Sequence, residues 1–156
     1  MNKTKVEKKP LVKVILEGGS LPEYKKPGDA GADVRVIGNH MTEDGHYFLE
    51  NGETRMISLG MRLEIPQGWE IQVRSRSGLA KIGLVVANSP GTIDSSYRGI
   101  CMVLLHNQSG SPFRVDKKER VAQFVLKRAP QAEFVEVSTI GNSERGEGGF
   151  GSTGTK

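Results

Sequence analysis

The stretch TRMISLGMRLEIPQGWEIQV, residues 54–73, decides the fold class of this chain. Apolar and polar residues alternate from Thr54 to Ile65, Pro66-Gln67-Gly68 interrupts the pattern, and WEIQV follows at once. Alternation with a period of two is typical of a half-buried strand, and a short Pro/Gly turn between two such runs is typical of a hairpin. We therefore expect two neighbouring strands joined by a tight turn.

Most of the remaining chain has the same character. Short runs rich in Val, Ile and Phe recur between Gly, Pro, Asn and Asp; they are KVILE, LVVA, ICMVLL, VAQFVL and AEFVEV. No window keeps a helical period over a typical helix length, and the one short helical candidate is SGLAKI, with Ser77 as its N-cap. The sequence predicts an all-β fold, a jelly-roll-like β-barrel with one short helix.

Length and composition divide the chain into three parts. A chain of 156 residues suits one domain with a proper core. We expect a disordered basic N-terminus over 1–10, the β-barrel domain over 11–140, and a flexible Gly-rich arm over 141–156, where six of sixteen residues are glycine.

Charge and hydropathy exclude some function classes and leave others open. The net charge of +4 suits an anionic ligand and would suit nucleic acid as well. No apolar run is long enough to span a bilayer, and the basic N-terminal residues are not followed by the apolar segment of a signal peptide. We expect a cytoplasmic protein with no membrane partner, in which Cys101 is a buried, inert thiol.

The C-terminal stretch RGEGGFGSTG, residues 145–154, imitates two phosphate-binding loops. Such loops need a following helix, and one of the two also needs a lysine where this chain has Ser152, so both matches are false. The stretch still contains Arg145 as a phosphate donor, Phe150 as a stacking face, and the hydroxyls of Ser152 and Thr153. It is interpreted as a lid that orders over a nucleotide; a disordered tail is the alternative.

Four further stretches supply the other half of a nucleotide site; they are AGADV at 30–34, RSGLA at 76–80, GTIDSSYRG at 91–99 and ERVAQ at 119–123. Asp33 follows a glycine near the start of a strand, and RSGLA offers a cation, a hydroxyl and backbone amides at the start of the short helix. Asp94 and Tyr97 lie in an expected hairpin, and Gln123 lies near the beginning of a strand.

In this order, the four stretches and RGEGGFGSTG resemble the five signature blocks of the trimeric deoxyuridine triphosphatases, from about Val12 to Gly154. The resemblance implies a homotrimer of jelly-roll barrels with three active sites shared between subunits. It implies Mg²⁺-dependent hydrolysis of dUTP to dUMP and diphosphate, which limits uracil incorporation into DNA and supplies dUMP for dTTP synthesis. It implies no nucleic-acid partner.

The resemblance also implies the groups that hold deoxyuridine and activate water. Asp94 would be the general base for the water that attacks the α-phosphorus, and the Tyr97 ring would occupy the place of a 2′-hydroxyl. The segment from Asn88 to Tyr97 would hold uracil through backbone groups and the Asn88 amide. The walls of that pocket would be Thr92, Ile93 and Met102.

A second set of groups is implied for the phosphates. Asp33 would orient waters around a Mg²⁺ ion carried by the triphosphate, and Gln123 would hold the phosphate and the attacking water. The remaining phosphate-binding residues would be Arg76, Ser77 and Gly78. The lid would place Phe150 on the base, with the rest of its contacts from Arg145, Gly151, Ser152 and Thr153.

Three other interpretations remain open. The first is a dCTP deaminase, since these related enzymes resemble the family in their barrel; the expected uracil-binding hairpin and the arm with Phe150 argue against it. A nucleotide-sensing regulator would keep the pocket and use the polar segment 39–52 as an interaction surface; the whole segment 37–53 is longer and more polar than usual and is expected to be a loop. An RGG-like nucleic-acid tail is disfavoured because Arg145 is the only arginine of the arm. His40, His46 and His106 are interpreted as structural or surface residues.

Overall fold

The computed structural model describes residues 9–38, 42 and 45–149. In these ranges the all-β class with one short helix is confirmed. The elements are β1 (Lys13–Leu16), β2 (Ala32–Arg35), β3 (His46–Leu49), β4 (Thr54–Ser58), β5 (Met61–Glu64), β6 (Trp69–Ser75), α1 (Ser77–Lys81), β7 (Leu84–Val86), β8 (Gly91–Ile93), β9 (Met102–Asn107), β10 (Phe113–Asp116) and β11 (Arg120–Arg128).

The described strands form four antiparallel sheets around one apolar core. The largest has the order β2-β11-β6-β8, the second has the order β4-β9-β7, and β1-β5 and β3-β10 are two-stranded. Most partners are distant along the chain, which is the connectivity of a jelly-roll-like fold rather than of successive hairpins. Leu49, Leu59, Met61, Leu105 and Val115 are all 0% exposed, so several sheets contribute to the same core.

The expected hairpin after β5 is wrong. The turn is present, because Trp69 N donates to Pro66 O at 3.2 Å. However, β5 pairs with β1, whereas β6 pairs with β11 and β8. The run from Thr54 to Ile65 is also two strands, since β4 pairs with β9 and Gly60, at φ 62°, separates β4 from β5. Alternation identifies a strand correctly, but it carries no information about the partner of that strand.

Two apolar segments differ from expectation in opposite ways. AEFVEV, residues 132–137, forms no strand, and Phe134 is 95% exposed. Conversely, the expected loop over 37–53 contains β3, whose Tyr47 and Leu49 are buried and which pairs with β10. Strand propensity is expressed where a partner strand is available, and of these two segments only β3 has one within the described chain.

Arg76, not Ser77, is the N-cap of α1, and Ser77 is the first helical residue. No described helix is long and apolar enough to cross a membrane. Residues 1–8 and 150–156 lie outside the described ranges, so the domain boundaries at 10 and 140 stay predictions.

Gly60 provides a test of the point where the chain passes from β4 to β5. A Cβ on Gly60 would lie 2.5 Å from Ile37 Cγ2 and 2.6 Å from Gly19 N, whereas a Cβ on Gly68 would meet nothing within 4 Å. Both glycines have positive φ, 62° and 81°. We expect Gly60→Ala to lower the free energy of unfolding by about 2–4 kcal/mol, since overpacking adds to backbone strain.

The measurement is urea denaturation, with Gly68→Ala as the matched control. Gly68→Ala should cost about 1–2 kcal/mol, because only the backbone strain remains there. Equal losses for the two variants would contradict the steric explanation.

Candidate functional site

A cleft of about 280 Å³ opens beside the edge strand β8, and we call it the β8 cleft. Its lining residues are Met56, Val73, Asn88, Gly91, Thr92, Ile93, Asp94, Tyr97, Cys101, Met102 and Leu104. The six residues that the sequence assigned to deoxyuridine and to water activation are all among them. The volume is near the lower end for small-molecule pockets and matches a base with its sugar better than a whole triphosphate.

The segment from Asn88 to Tyr97 is not the expected hairpin. Within it, β8 pairs with β6, and β8 is the last strand in its sheet. One edge of β8 therefore has backbone N–H and C=O groups without a strand partner among the described residues. A Cβ on Gly91 would lie 2.8 Å from Asn88 Nδ2, so glycine is what lets the Asn88 amide lie close to this strand.

The segment after β8 is held by several polar contacts. Tyr97 Oη donates to Ile100 O at 2.9 Å, and Arg62 Nη1 donates to Arg98 O at 3.0 Å. A Cβ on Gly99 would lie only 2.3 Å from Tyr97 Oη. Sequence reasoning missed Arg62, because only the folded chain brings Arg62 of β5 to this segment. It gave no role to Gly99, although the stretch GTIDSSYRG ends there.

Asp94 is exposed at the end of β8 and accepts no side-chain hydrogen bond from the described residues. Its carboxylate is therefore available to a water molecule in the β8 cleft. Cys101 also lines this cleft, but it is 1% exposed, and burial raises the pKa of its thiol to about 11. The expected burial of Cys101 is confirmed, and the raised pKa disfavours the thiolate that reactivity requires.

A second group of predicted residues meets around Asp33, and we call it the Asp33 cluster. Arg76 Nε donates to Asp33 Oδ1 at 2.9 Å, and Arg120 Nη1 donates to Asp33 Oδ2 at 2.9 Å. Gln123 lies opposite Asp33 on β11, and its Nε2 donates to Ser75 O at 3.0 Å. The Gln123 Oε1 atom is left as an acceptor. Sequence reasoning missed Arg120, although the ERVAQ stretch contains it.

Ser77 and Gly78 complete this end of the site. Both are exposed at the start of α1, directly after Arg76. The Ser77 hydroxyl and the first backbone amides of the helix are therefore accessible next to a guanidinium group.

Asp94 and the Asp33 cluster lie toward opposite ends of β6. The register that pairs Ile93 with Ile71 continues to Asp94 beside Glu70, whereas Arg76 follows the other end of the strand. Six positions separate Glu70 from Arg76, which corresponds to about 20 Å along a strand. Groups that act on one bond must lie within a few ångström of the reacting atoms. A single chain therefore does not bring Asp94 and Arg76 to the same bond.

The described residues suit a metal ion that arrives with a ligand. They contain no group of three or more His, Cys, Asp and Glu side chains that could hold an ion directly. Mg²⁺ prefers oxygen ligands and usually keeps several waters. The Asp33 carboxylate can accept about four hydrogen bonds, and its two arginines use two of them, so it can still contact metal-bound water. This donor set fits an indirect role for Asp33.

None of the described histidines, and no described residue of the arm, lines the β8 cleft or bonds to Asp33. His106 Nδ1 hydrogen-bonds to Thr54 Oγ1 at 2.9 Å, and His46 is 8% exposed beside Phe48, whereas His40 lies outside the described residues. In the arm, Arg145 Nε donates to Gly148 O at 2.8 Å. The other predicted lid residues, Phe150, Gly151, Ser152 and Thr153, lie outside the described residues.

Comparison with known proteins places this geometry in one family. A family model described as dUTPase matches residues 17–154. The deoxyuridine 5′-triphosphate nucleotidohydrolase of Fusobacterium nucleatum is 47% identical over 150 residues, which are 94% of this chain and 99% of the relative. The enzyme of the same name from Chlamydia pneumoniae is 48% identical over 139 residues, covering 88% of this chain and 92% of the relative.

Solved structures agree with this assignment. The dUTPase of Staphylococcus bacteriophage 80alpha with dUpNHpp has a TM-score of 0.80 and 26% identity, covering 92% of this chain and 98% of that one. A mutant dUTPase from phage phi11 of S. aureus, described with a structural Mg(II) ion, shares the fold at a TM-score of 0.70 and 22% identity, covering 83% of this chain and 97% of that one. The family model and the relatives span nearly the whole chain, and the chain belongs to the dUTPase family.

Proposed function

We propose that this protein hydrolyses dUTP to dUMP and diphosphate, with Asp94 as the general base. The observation that carries the proposal is the β8 cleft, in which Asp94 lies with the five other residues expected to hold deoxyuridine. Relatives named deoxyuridine 5′-triphosphate nucleotidohydrolase, 47% and 48% identical to this chain, support the same substrate.

Recognition of the base and sugar follows from the edge strand. The unpaired backbone groups of β8 and the Asn88 amide are donors and acceptors that match the polar edge of uracil. Because side chains alternate along a strand, Ile93 packs inward at 8% exposure while Thr92 is exposed, so Thr92 contributes mainly its backbone. The Tyr97 ring, fixed through its hydroxyl to Ile100 O, occupies the space of a ribose 2′-hydroxyl.

Hydrolysis proceeds by attack of water on the α-phosphorus. Asp94 accepts the proton of that water as its oxygen bonds to phosphorus, and the bond to the bridging oxygen breaks to release diphosphate. Arg76 and Ser77 donate to the phosphate oxygens, and Gln123 Oε1 accepts from the water. When bound, Mg²⁺ would neutralise phosphate charge, and the Asp33 carboxylate would hold it indirectly by accepting hydrogen bonds from its waters.

The separation of Asp94 from Arg76 along β6 supports a site built between copies of the chain. One copy supplies the β8 cleft and a second supplies the Asp33 cluster, and three such pairings close a homotrimer. Apolar surface supports this assembly, because Met56 is 63% exposed, Phe134 95% and Ile140 86%. The arm, with Arg145 and residues 150–153, then closes over the filled site.

Diphosphate release with four nucleotides tests the activity. We expect turnover of dUTP with Mg²⁺ and little release from dTTP, dCTP or UTP; ammonia from dCTP would instead indicate a deaminase. Asp94→Asn should still bind dUTP but lower kcat by about 10²–10⁴, the range for loss of a positioned base. Unchanged kcat in Asp94→Asn would remove Asp94 from the mechanism.

Gly31 tests the role of Gln123. A Cβ on Gly31 would lie 2.0 Å from Gln123 Oε1, so Gly31→Ala must displace the amide. Because the amide is the end of a flexible side chain, we expect less than about 1 kcal/mol of lost stability but about a 10- to 100-fold lower kcat. Gly141→Ala is the control for added bulk, since a Cβ there meets nothing within 4 Å in the chain and Gly141 is not among the residues proposed to contact the substrate. Full activity of Gly31→Ala would argue against a role for the Gln123 amide.

Mixed trimers test whether the sites are shared. Asp94→Asn copies and Arg76→Met copies should each form nearly inactive trimers. When equal amounts are refolded together, about three quarters of the trimers are mixed, and each mixed trimer has one site with both residues intact.

We therefore expect the mixture to recover about a quarter of the wild-type activity. The control is a mixture of the two separately folded variants before any exchange of subunits, which should stay inactive. If refolded mixtures gain nothing, Asp94 and Arg76 must act from the same copy, and the shared-site proposal is wrong.

A further inference from the structure

A β-bulge in β11 determines the direction of Arg120. Arg120 lies opposite Arg35 of β2 and Ala122 lies opposite Val34, so two steps along β11 correspond to one step along β2. In a regular strand Arg120 would share the buried face of Ala122, which is 0% exposed. The extra residue instead places Arg120 on the face that carries Asp33.

On that face, Arg120 closes a ring of three hydrogen bonds with Asp33 and Arg76. Its Nη1 donates to Asp33 Oδ2, Arg76 Nε donates to Asp33 Oδ1, and Arg76 Nη1 donates to the Arg120 carbonyl, each at 2.9 Å. Arg120 therefore holds Arg76 by two routes, one through its backbone and one through the carboxylate. The two bonds to Asp33 join charged partners, which makes them stronger than neutral ones.

We propose that Arg120 is a positioning residue for phosphate binding, which fixes Asp33 and through it the guanidinium of Arg76 before substrate arrives. This inference rests on the proposed hydrolysis of dUTP. Two arginines around one carboxylate leave an excess positive charge, and Arg76 keeps three of its five donors for phosphate oxygens. Without the Arg120 side chain, Asp33 loses one of its two anchors, and Arg76 keeps only the Arg120 carbonyl as a fixed partner, so its guanidinium is less firmly oriented.

The fold itself depends little on this side chain. Arg120 is 36% exposed, and ion pairs at such positions contribute little to stability. Arg35 is a matched neighbour: it faces Arg120 across the strands and is 32% exposed, but it donates to Lys118 O at 2.9 Å and lies 3.6 Å from Glu23. The two arginines thus share a strand pair, a charge and an exposure, and of the two only Arg120 contacts Asp33.

The first experiment compares Arg120→Met with Arg35→Met. We expect Arg120→Met to lower kcat/KM for dUTP by about 10- to 100-fold, since a displacement of about 1 Å is enough for such a loss. Arg35→Met should stay within about twofold of wild type. Deoxyuridine without phosphates should bind both variants equally, because none of the residues that line the β8 cleft belongs to the Asp33 cluster. Arg120→Lys should recover most of the loss, because one donor suffices for the bond to Asp33 Oδ2.

A double-mutant cycle separates positioning from direct contact. If Arg120 acts through Asp33, then Asp33→Asn with Arg120→Met should be no slower than Asp33→Asn alone. Losses that multiply in the double variant would mean that Arg120 contacts the phosphates itself and would overturn the inference. Wild-type kcat/KM in Arg120→Met, or an equal loss in Arg35→Met, would also overturn it.

Two controls keep these outcomes interpretable. Thermal melting checks that each variant is folded, and Arg120→Gln, which keeps length and polarity, replaces Arg120→Met if that variant does not fold. The wild type and Arg35→Met must both release diphosphate from dUTP. Failure of both to do so would refute the proposed function, whereas activity in both with an unaffected Arg120→Met would refute only the role of Arg120.

Discussion

The pairing of β6 on both of its edges is the constraint on which the site depends. One edge holds β11, which brings Gln123 and Arg120 to the end of β6 that leads into Arg76. The other edge holds β8, which carries Asp94 to the opposite end. Because a strand is stiff and its register is fixed by the buried face, neither group can move toward the other within one chain. This separation is the structural basis of the proposed site between copies of the chain.

This arrangement also gives Arg76 its partners within the chain. A guanidinium that is three-quarters buried is costly to leave unpaired, and Arg76 at 25% exposure is paired with Asp33 and with a carbonyl. The carboxylate keeps the cation in place without neutralising the cluster, since Arg120 adds a second positive charge. Preorganised donors of this kind do not have to reorient when charge develops on the phosphates.

Local sequence patterns predicted the all-β class, the short helix and the burial of Cys101, because each depends on a few adjacent residues. The pairing partner of each strand was not predictable in the same way. The alternation over Thr54–Ile65 indicates strands, but only the folded core determines that β4 and β5 belong to different sheets. AEFVEV has the composition of a strand and remains exposed in the single chain, which is understandable if its partner belongs to another copy. Six of the residues that line the β8 cleft were predicted through the family motifs, whereas Arg62 and Arg120 emerge only from contacts across the fold.

The bulge at Arg120 shows why such a residue escapes sequence reasoning. Counted by alternation from Ala122, Arg120 belongs to the inner face, where a charged side chain would be costly without a partner. One additional residue in the strand reverses that assignment and puts the guanidinium beside Asp33. The bulge also puts Arg120 on the same face as Arg35, and different partners separate the two guanidinium groups, because Arg120 pairs with Asp33 and Arg35 with Glu23. A backbone irregularity therefore sets the charge pattern of the Asp33 cluster, the end of the site proposed to bind the phosphates.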